Sequence, residues 1–253
     1  MARPILSKAV SWADFQSSVV EVFRTALLRL IARGELPRTE EPINLVLYWE
    51  AIAVHHEMAR NGSGTLPFVI LFDTPNQPSP DDTVRSRRLK KQPDFTCAMT
   101  DSQAHDPDRS QVCYHLECKR LGAANGSWVL NSNYTHHGIV RFIDNEWQYA
   151  KHCESATMIG YIQDQDLQTI LDEVNLAISP LALPKLTAPT GGWSSAPLHT
   201  PNQGRLSRSF HARSFQLTHL WVDLRTCKFK DSLANVSPRK KKSVRRRRRP
   251  RTA

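Results

Sequence analysis

The chain has 253 residues, 40 % of them hydrophobic, which is enough to bury a substantial core. No uninterrupted apolar run approaches bilayer length, and Met1-Ala2-Arg3-Pro4-Ile5-Leu6 lacks the apolar region and cleavage site of a secretory signal, so a membrane or secreted protein is not expected. The formal net charge of +10 is concentrated in residues 237–253, which hold ten Lys and Arg and no acid, so residues 1–236 sum to zero and a uniformly basic nucleic-acid clamp is excluded. Five cysteines, an odd number with no CxxC pair, point to reduced thiols and a cytoplasmic setting, nuclear in a eukaryote. A zinc site from Cys113, His115 and Cys118 is disfavoured, because strand alternation puts Cys113 and Cys118 on opposite faces.

Residues 12–33 predict an amphipathic helix. Phe15, Val19, Val22, Phe23, Ala26, Leu27, Leu30 and Ile31 recur at three- and four-residue steps, and Gly34 stops it. Thr39 is placed to cap a second helix with Glu40 and Glu41 in its first turn, running to about Ala59 before Asn61-Gly62-Ser63-Gly64. The apolar run Leu66–Phe72 predicts a buried strand, the first of a sheet. Residues 73–91 are polar and Pro-rich, with Arg85, Arg87, Arg88, Lys90 and Lys91 gathered before Pro93. They form either a phosphate-contacting loop or a solvated one.

Two strands follow, Pro93–Met99 and Cys113–Arg120. Alternation puts Phe95, Cys97 and Met99 on one face of the first, with Asp94, Thr96 and Ala98 on the other. In the second, Tyr114, Leu116 and Cys118 share the apolar face, and His115, Glu117 and Lys119 the polar one. Each strand is therefore expected to carry an acid on a face turned away from the core. Paired in one sheet, the strands would bring Asp94, Glu117 and Lys119 together. Two carboxylates suit a hard divalent cation. A lysine two residues after the second acid falls beside it, where it could orient a water or stabilise developing negative charge.

Beyond the small-residue loop Leu121–Gly126, a helix is predicted from Gly138 to about Lys151. Ile139, Phe142, Ile143, Tyr149 and Ala150 would be buried, Trp147 marginal and Arg141 off the stripe. Ala156–Ile162 reads as a central strand and residues 165–178 as a further helix. Residues 179–214 lack periodicity and read as a long loop or partly disordered insertion. Phe215–Leu224 returns to strand, with His219 structural. The expected organisation is N-terminal helices over 1–64 packing on the core, an α/β core over 65–236, and a disordered polybasic tail over 237–253.

Pro93-Asp94 followed by Glu117-x-Lys119 resembles the PD-(D/E)xK nuclease superfamily, the restriction-endonuclease-like fold. The likeness covers about residues 66–162 in pattern and only Pro93, Asp94, Glu117 and Lys119 in motif. It implies an αβββαβ core with a mixed central sheet flanked by helices, and phosphodiester hydrolysis dependent on Mg²⁺ or Mn²⁺. It makes Asp94 and Glu117 metal ligands, Lys119 the catalytic lysine and the Cys118 backbone carbonyl a further ligand. Such nucleases often carry another acid on a helix before the sheet. Glu41 is the first candidate, ahead of Glu40, Glu50 and Glu21, although compensation of the helix dipole is the better explanation of Glu40 and Glu41. Arg87, Arg88, Lys90, Lys91 and Arg141 are the candidates for contact with nucleic acid, DNA being the expected polymer. Defence and repair are the natural settings, no membrane partner is expected, and a homodimer stays open. The alternative is a non-catalytic nucleic-acid-binding or scaffold protein that relies on the basic tail.

The tail carries its own expectation. If it tethers nucleic acid by counterion release, truncation at Val236 weakens binding to long DNA and flattens its salt dependence. Single-turnover cleavage of saturating substrate stays nearly unchanged. Binding isotherms at several salt concentrations, paired with saturating rates, test this; an unchanged salt slope removes the tether.

Overall fold

The computed structural model describes residues 11–62, 67–78, 87–101, 104–106 and 110–230. The polybasic tail and Arg85 lie outside the described residues.

Helix α1 (Trp12–Ala32) begins at a reciprocal cap: Ser11 Oγ accepts from the Asp14 backbone N–H at 3.1 Å, and Asp14 Oδ2 accepts from the Ser11 N–H. Its buried stripe is Phe15, Val19, Val22, Phe23, Ala26, Leu27 and Leu30. Gly34, at φ +70°, reverses the chain as expected. A short strand β1 (Glu35–Pro37) leads into α2 (Glu40–Arg60), which buries Ile43, Leu47, Ala51 and Val54. Thr39 occupies the N-cap position, but its side chain makes no capping bond.

The sheet starts as an antiparallel meander of β2 (Val69–Phe72), β3 (Phe95–Thr100) and β4 (Gln111–Leu121). A crossover follows through α3 (Leu130–Tyr134), one π-helical turn (Thr135–Ile139) and α4 (Val140–Ile143). Strand β5 (Ser155–Ile162) then lies parallel to β4. After α5 (Leu167–Ile178) come β6 (Leu186–Thr187), β7 (Leu198–His199), β8 (Asn202–Gln203) and β9 (Leu206–Arg208). The long β10 (His211–Asp223) pairs parallel with β5, and β11 (Lys228–Lys230) pairs with β1. The spatial order of the mixed sheet is β2-β3-β4-β5-β10-β7, with β9 also on β10.

Helices cover both faces of this sheet. On one face α1 and α2 pack over Phe95, Tyr114, Leu116, Cys118, Ile159 and Tyr161. On the other, α3 to α5 and the π turn pack over Met158, Ile162, Leu217 and Trp221. Among the described residues no helix is long and apolar enough to cross a membrane.

Four expectations are corrected here. First, the polar face of β4 is not turned to solvent. His115, Glu117 and Lys119 are 3, 0 and 8 % exposed, because β4 is an interior strand covered on both sides. Second, β2 is an edge strand rather than a buried one, with Val69 57 % exposed. Third, the helix after the motif runs from Leu130 and ends at Ile143. Asp144 turns extended, and its Oδ1 accepts the N–H groups of Glu146 and Trp147, so Tyr149 and Ala150 are buried from a turn. Fourth, residues 179–214 are structured: β6 pairs with β8, and β7 and β9 pair with β10, which itself begins at His211.

Gly160 sits where β4, β5 and β10 are in closest contact. A Cβ there would lie 2.4 Å from Leu121 Cδ1 and 2.9 Å from Cδ1 of the fully buried Trp221. Gly160→Ala is expected to destabilise the fold by about 1–3 kcal/mol through overpacking. Urea unfolding measures this, and an unchanged midpoint would refute the tight packing.

Candidate active site

Strand register brings the motif together. Phe95 pairs with Leu116, so the residue before β3, Asp94, stands opposite Glu117 on the same face. Asp94 Oδ2 accepts the backbone N–H of Cys118 at 2.7 Å, which ties the strand start to the middle of β4. The Lys119 ammonium lies 2.8 Å from Glu117 Oε1 and 3.8 Å from Asp94 Oδ2, and donates to the Cys118 carbonyl at 2.6 Å. The expected trio is therefore assembled, and the Cys118 carbonyl stands beside it.

The helix-borne acid at this cluster is Glu40. Its Oε1 is 2.8 Å from Lys119 Nζ, and its Oε2 accepts the Arg120 N–H at 3.2 Å. Glu41, the first candidate in sequence, is exposed and away from these contacts; Glu50 pairs with Arg33 at 3.2 Å, and Glu21 lies beside Arg24. Adjacent acids in a first helical turn point about 100° apart. Which one meets the end of β4 depends on how α2 is rotated against the sheet.

The basic candidates divide. Arg141 NH1 pairs with Glu117 Oε1, and its guanidinium stacks over Trp147 at 4.1 Å, so it belongs to the acidic cluster. Arg88 is 3 % exposed and donates to the Gln77 carbonyl, which withdraws it from a solvent-facing surface. Lys91 pairs with Glu146 at 2.8 Å and lies over Trp147. Arg87 and Lys90 are exposed. Sequence reasoning ranked Glu40 second and missed Tyr149 as a neighbour of the site. A tyrosine in a turn carries no local signal of what it will face.

Three carboxylates, Glu40, Asp94 and Glu117, here meet two cations, Lys119 and Arg141. Burial, then the charges of Glu117 and Glu40, push the Asp94 carboxyl well above the ordinary aspartate range, against the opposing pull of Lys119 and the Cys118 N–H. Burial alone would lower the Lys119 ammonium, but Glu117, Asp94 and Glu40 outweigh it and hold lysine above its usual range. Lys119 is thus a fixed cation, not a base. Glu117 is fully buried, and among the described residues its Oε2 finds no hydrogen-bond partner, nor do Arg141 Nε and the Tyr149 hydroxyl. Neighbouring His115 accepts or donates at 3.0 Å to Thr96 Oγ1, and burial pulls its ring down to about 3, keeping it neutral.

The donor set fits a hard cation in kind: carboxylates of Asp94 and Glu117, the Cys118 carbonyl, one orphaned carboxylate oxygen and an excess of negative charge. Among the described residues no three His, Cys, Asp or Glu side chains are grouped around one metal position. The Lys119 ammonium stands among the carboxylates.

A pH dependence follows from Asp94. A carboxyl whose native pKa is raised binds its proton more tightly when folded. It therefore stabilises the fold fully below the unfolded value of about 4, and that stability is lost as pH rises through the raised native value. In EDTA the stability of the native chain should fall with rising pH more steeply than that of Asp94→Asn, which keeps an acceptor for the Cys118 N–H. Urea midpoints between pH 5 and 9 test this; parallel curves would contradict it.

Compared with known proteins, the chain matches no family model, no curated protein and no solved structure.

Proposed function

We propose that this protein is a metal-dependent nuclease of the PD-(D/E)xK type, hydrolysing phosphodiester bonds in nucleic acid, with DNA the expected polymer. The observation that carries the reading is the register that sets Asp94 across from Glu117 with Lys119 between them. The order of elements supports it: helices, an antiparallel three-stranded meander, a helical crossover and a parallel strand beside β4. Both agree with the αβββαβ core that the motif implies.

In this reading Asp94 and Glu117 hold Mg²⁺ or Mn²⁺, with the Cys118 carbonyl and Glu40 as further oxygen donors. The bound cation would acidify a water and neutralise charge on the phosphodiester. Lys119 supplies a positive charge fixed by three acids, placed to orient the attacking water or to stabilise the pentacoordinate phosphorus. Arg141 holds Glu117 in position and is the cation next to it. A basic surface remains in Arg87, Lys90 and Lys91, beside Trp147 and Arg141.

Incubation of the full chain with plasmid, linear DNA and RNA, with Mg²⁺ or EDTA, tests the proposal. Cleavage should require the metal and disappear in Asp94→Ala. Because Glu117 is fully buried between Lys119 and Arg141, its removal would leave buried charges unpaired at a cost of about 3–5 kcal/mol. Glu117→Gln is therefore the informative change, and should lose activity with less harm to the fold. Lys119→Ala should lose cleavage while retaining metal binding by calorimetry. Binding of DNA without cleavage under all conditions would favour the non-catalytic alternative instead.

A further inference from the structure

A cavity of about 700 Å³ opens on the sheet face that carries Glu117, at the opposite end of β4. Three chain segments wall it: the loop after β2 at residues 76–78, the turn at residues 148–154, and the β9–β10 hairpin. Its size falls within the usual range of pockets that enclose small organic ligands.

The described lining is cationic. Lys151, Arg205, Arg208 and Arg213 face one acid, Glu154. Arg208 is only 7 % exposed, and its hydrogen bonds go to the carbonyls of Ala150, Cys153 and Arg213 and to the His211 ring, none of them a carboxylate. These bonds use all five of its N–H groups, so Arg208 lends the cavity floor positive charge but no free donor. At the mouth, exposed Arg205 is held by Ser214 at 2.7 Å, and Arg213 makes only a long 3.8 Å pair with exposed Glu154. A phosphate can compete for both guanidiniums.

The remaining lining is neutral and polar, with aromatic edges. Asn76, Gln77, Gln111 and Gln148 contribute amides, three of which also donate to Trp147, Pro75 and Asn145, and Trp12 adds an aromatic ring to the lining. Tyr149, 1 % exposed, forms part of the wall between the cavity and the acidic cluster.

We infer that this cavity binds a nucleoside monophosphate, free or as the terminal nucleotide of a strand, its phosphate on Arg205 and Arg213 and its base among the amides. The pairing of an anion-binding wall with an amide and aromatic wall distinguishes this ligand from a bare phosphate. The cavity also adjoins the acidic cluster: His115 lines it two residues before Glu117 on the same strand face. The inference goes beyond the nuclease reading and stands without it, since binding needs no divalent cation.

The test is calorimetric titration of the full chain in EDTA with a nucleoside 5′-monophosphate, the matching nucleoside and inorganic phosphate. The monophosphate should bind at least about tenfold more tightly than either fragment. Arg205→Ala with Arg213→Ala should weaken it by a similar factor. Both proteins carry the polybasic tail, so the difference reports the cavity alone. Competition by an oligonucleotide with a 5′-phosphate, but not by its 5′-hydroxyl form, would assign the site to strand ends; no competition by either would assign it to the free nucleotide. Equal affinity for inorganic phosphate, or unchanged affinity in the double variant, would overturn the inference.

Discussion

The ammonium of Lys119 holds the centre of this protein together. It lies on an interior strand, nearly closed to solvent, with Glu40, Asp94 and Glu117 as its acidic neighbours. A lone charge in that place would be driven out or neutralised. Here each group makes the other tolerable, and three distant parts of the chain are drawn to one point: the start of α2, the start of β3 and the middle of β4. Arg141 adds a fourth, from the crossover after β4.

The cost of that arrangement shows in what remains unbalanced. Asp94 is pushed toward its neutral form, and one oxygen of Glu117 finds no donor. Structural ion pairs normally settle into full mutual satisfaction. A buried cluster with surplus acid, an orphaned oxygen and a cation fixed by its neighbours is instead suited to receiving charge from outside. On the proposed reading a divalent metal with a phosphate would supply it, and stability and function would then oppose each other at this site.

The same sheet face continues into the cationic cavity. Between Lys119 and the cavity lie Glu117, His115 and the Tyr149 ring, so acid and base are separated along a single strand rather than mixed. The separation is possible because β4 is long, with 11 residues, and because the turn after Ile143 carries Tyr149 back over it.

Periodicity by itself determined much of this architecture: α1 and α5, the strands β3, β4, β5 and β10, and the face shared by Asp94, Glu117 and Lys119, because alternation and helical repeat are local properties of the backbone. The motif spacing likewise singled out Asp94, Glu117 and Lys119. Tertiary structure decided the rest. Alternation marks which residues share a face but not whether that face is covered, and only the helices packed over β4 buried Glu117. The choice of Glu40 over Glu41 came from the rotation of α2 against the sheet. Within 179–214, β7 and β9 were ordered by the open edge of β10 while β6 and β8 paired with each other, all of them segments too short in pattern to announce themselves. The convergence of Arg205, Arg208 and Arg213 with Gln77 and Tyr149 around one cavity joins residues up to 136 positions apart, a distance over which sequence carries no geometric signal.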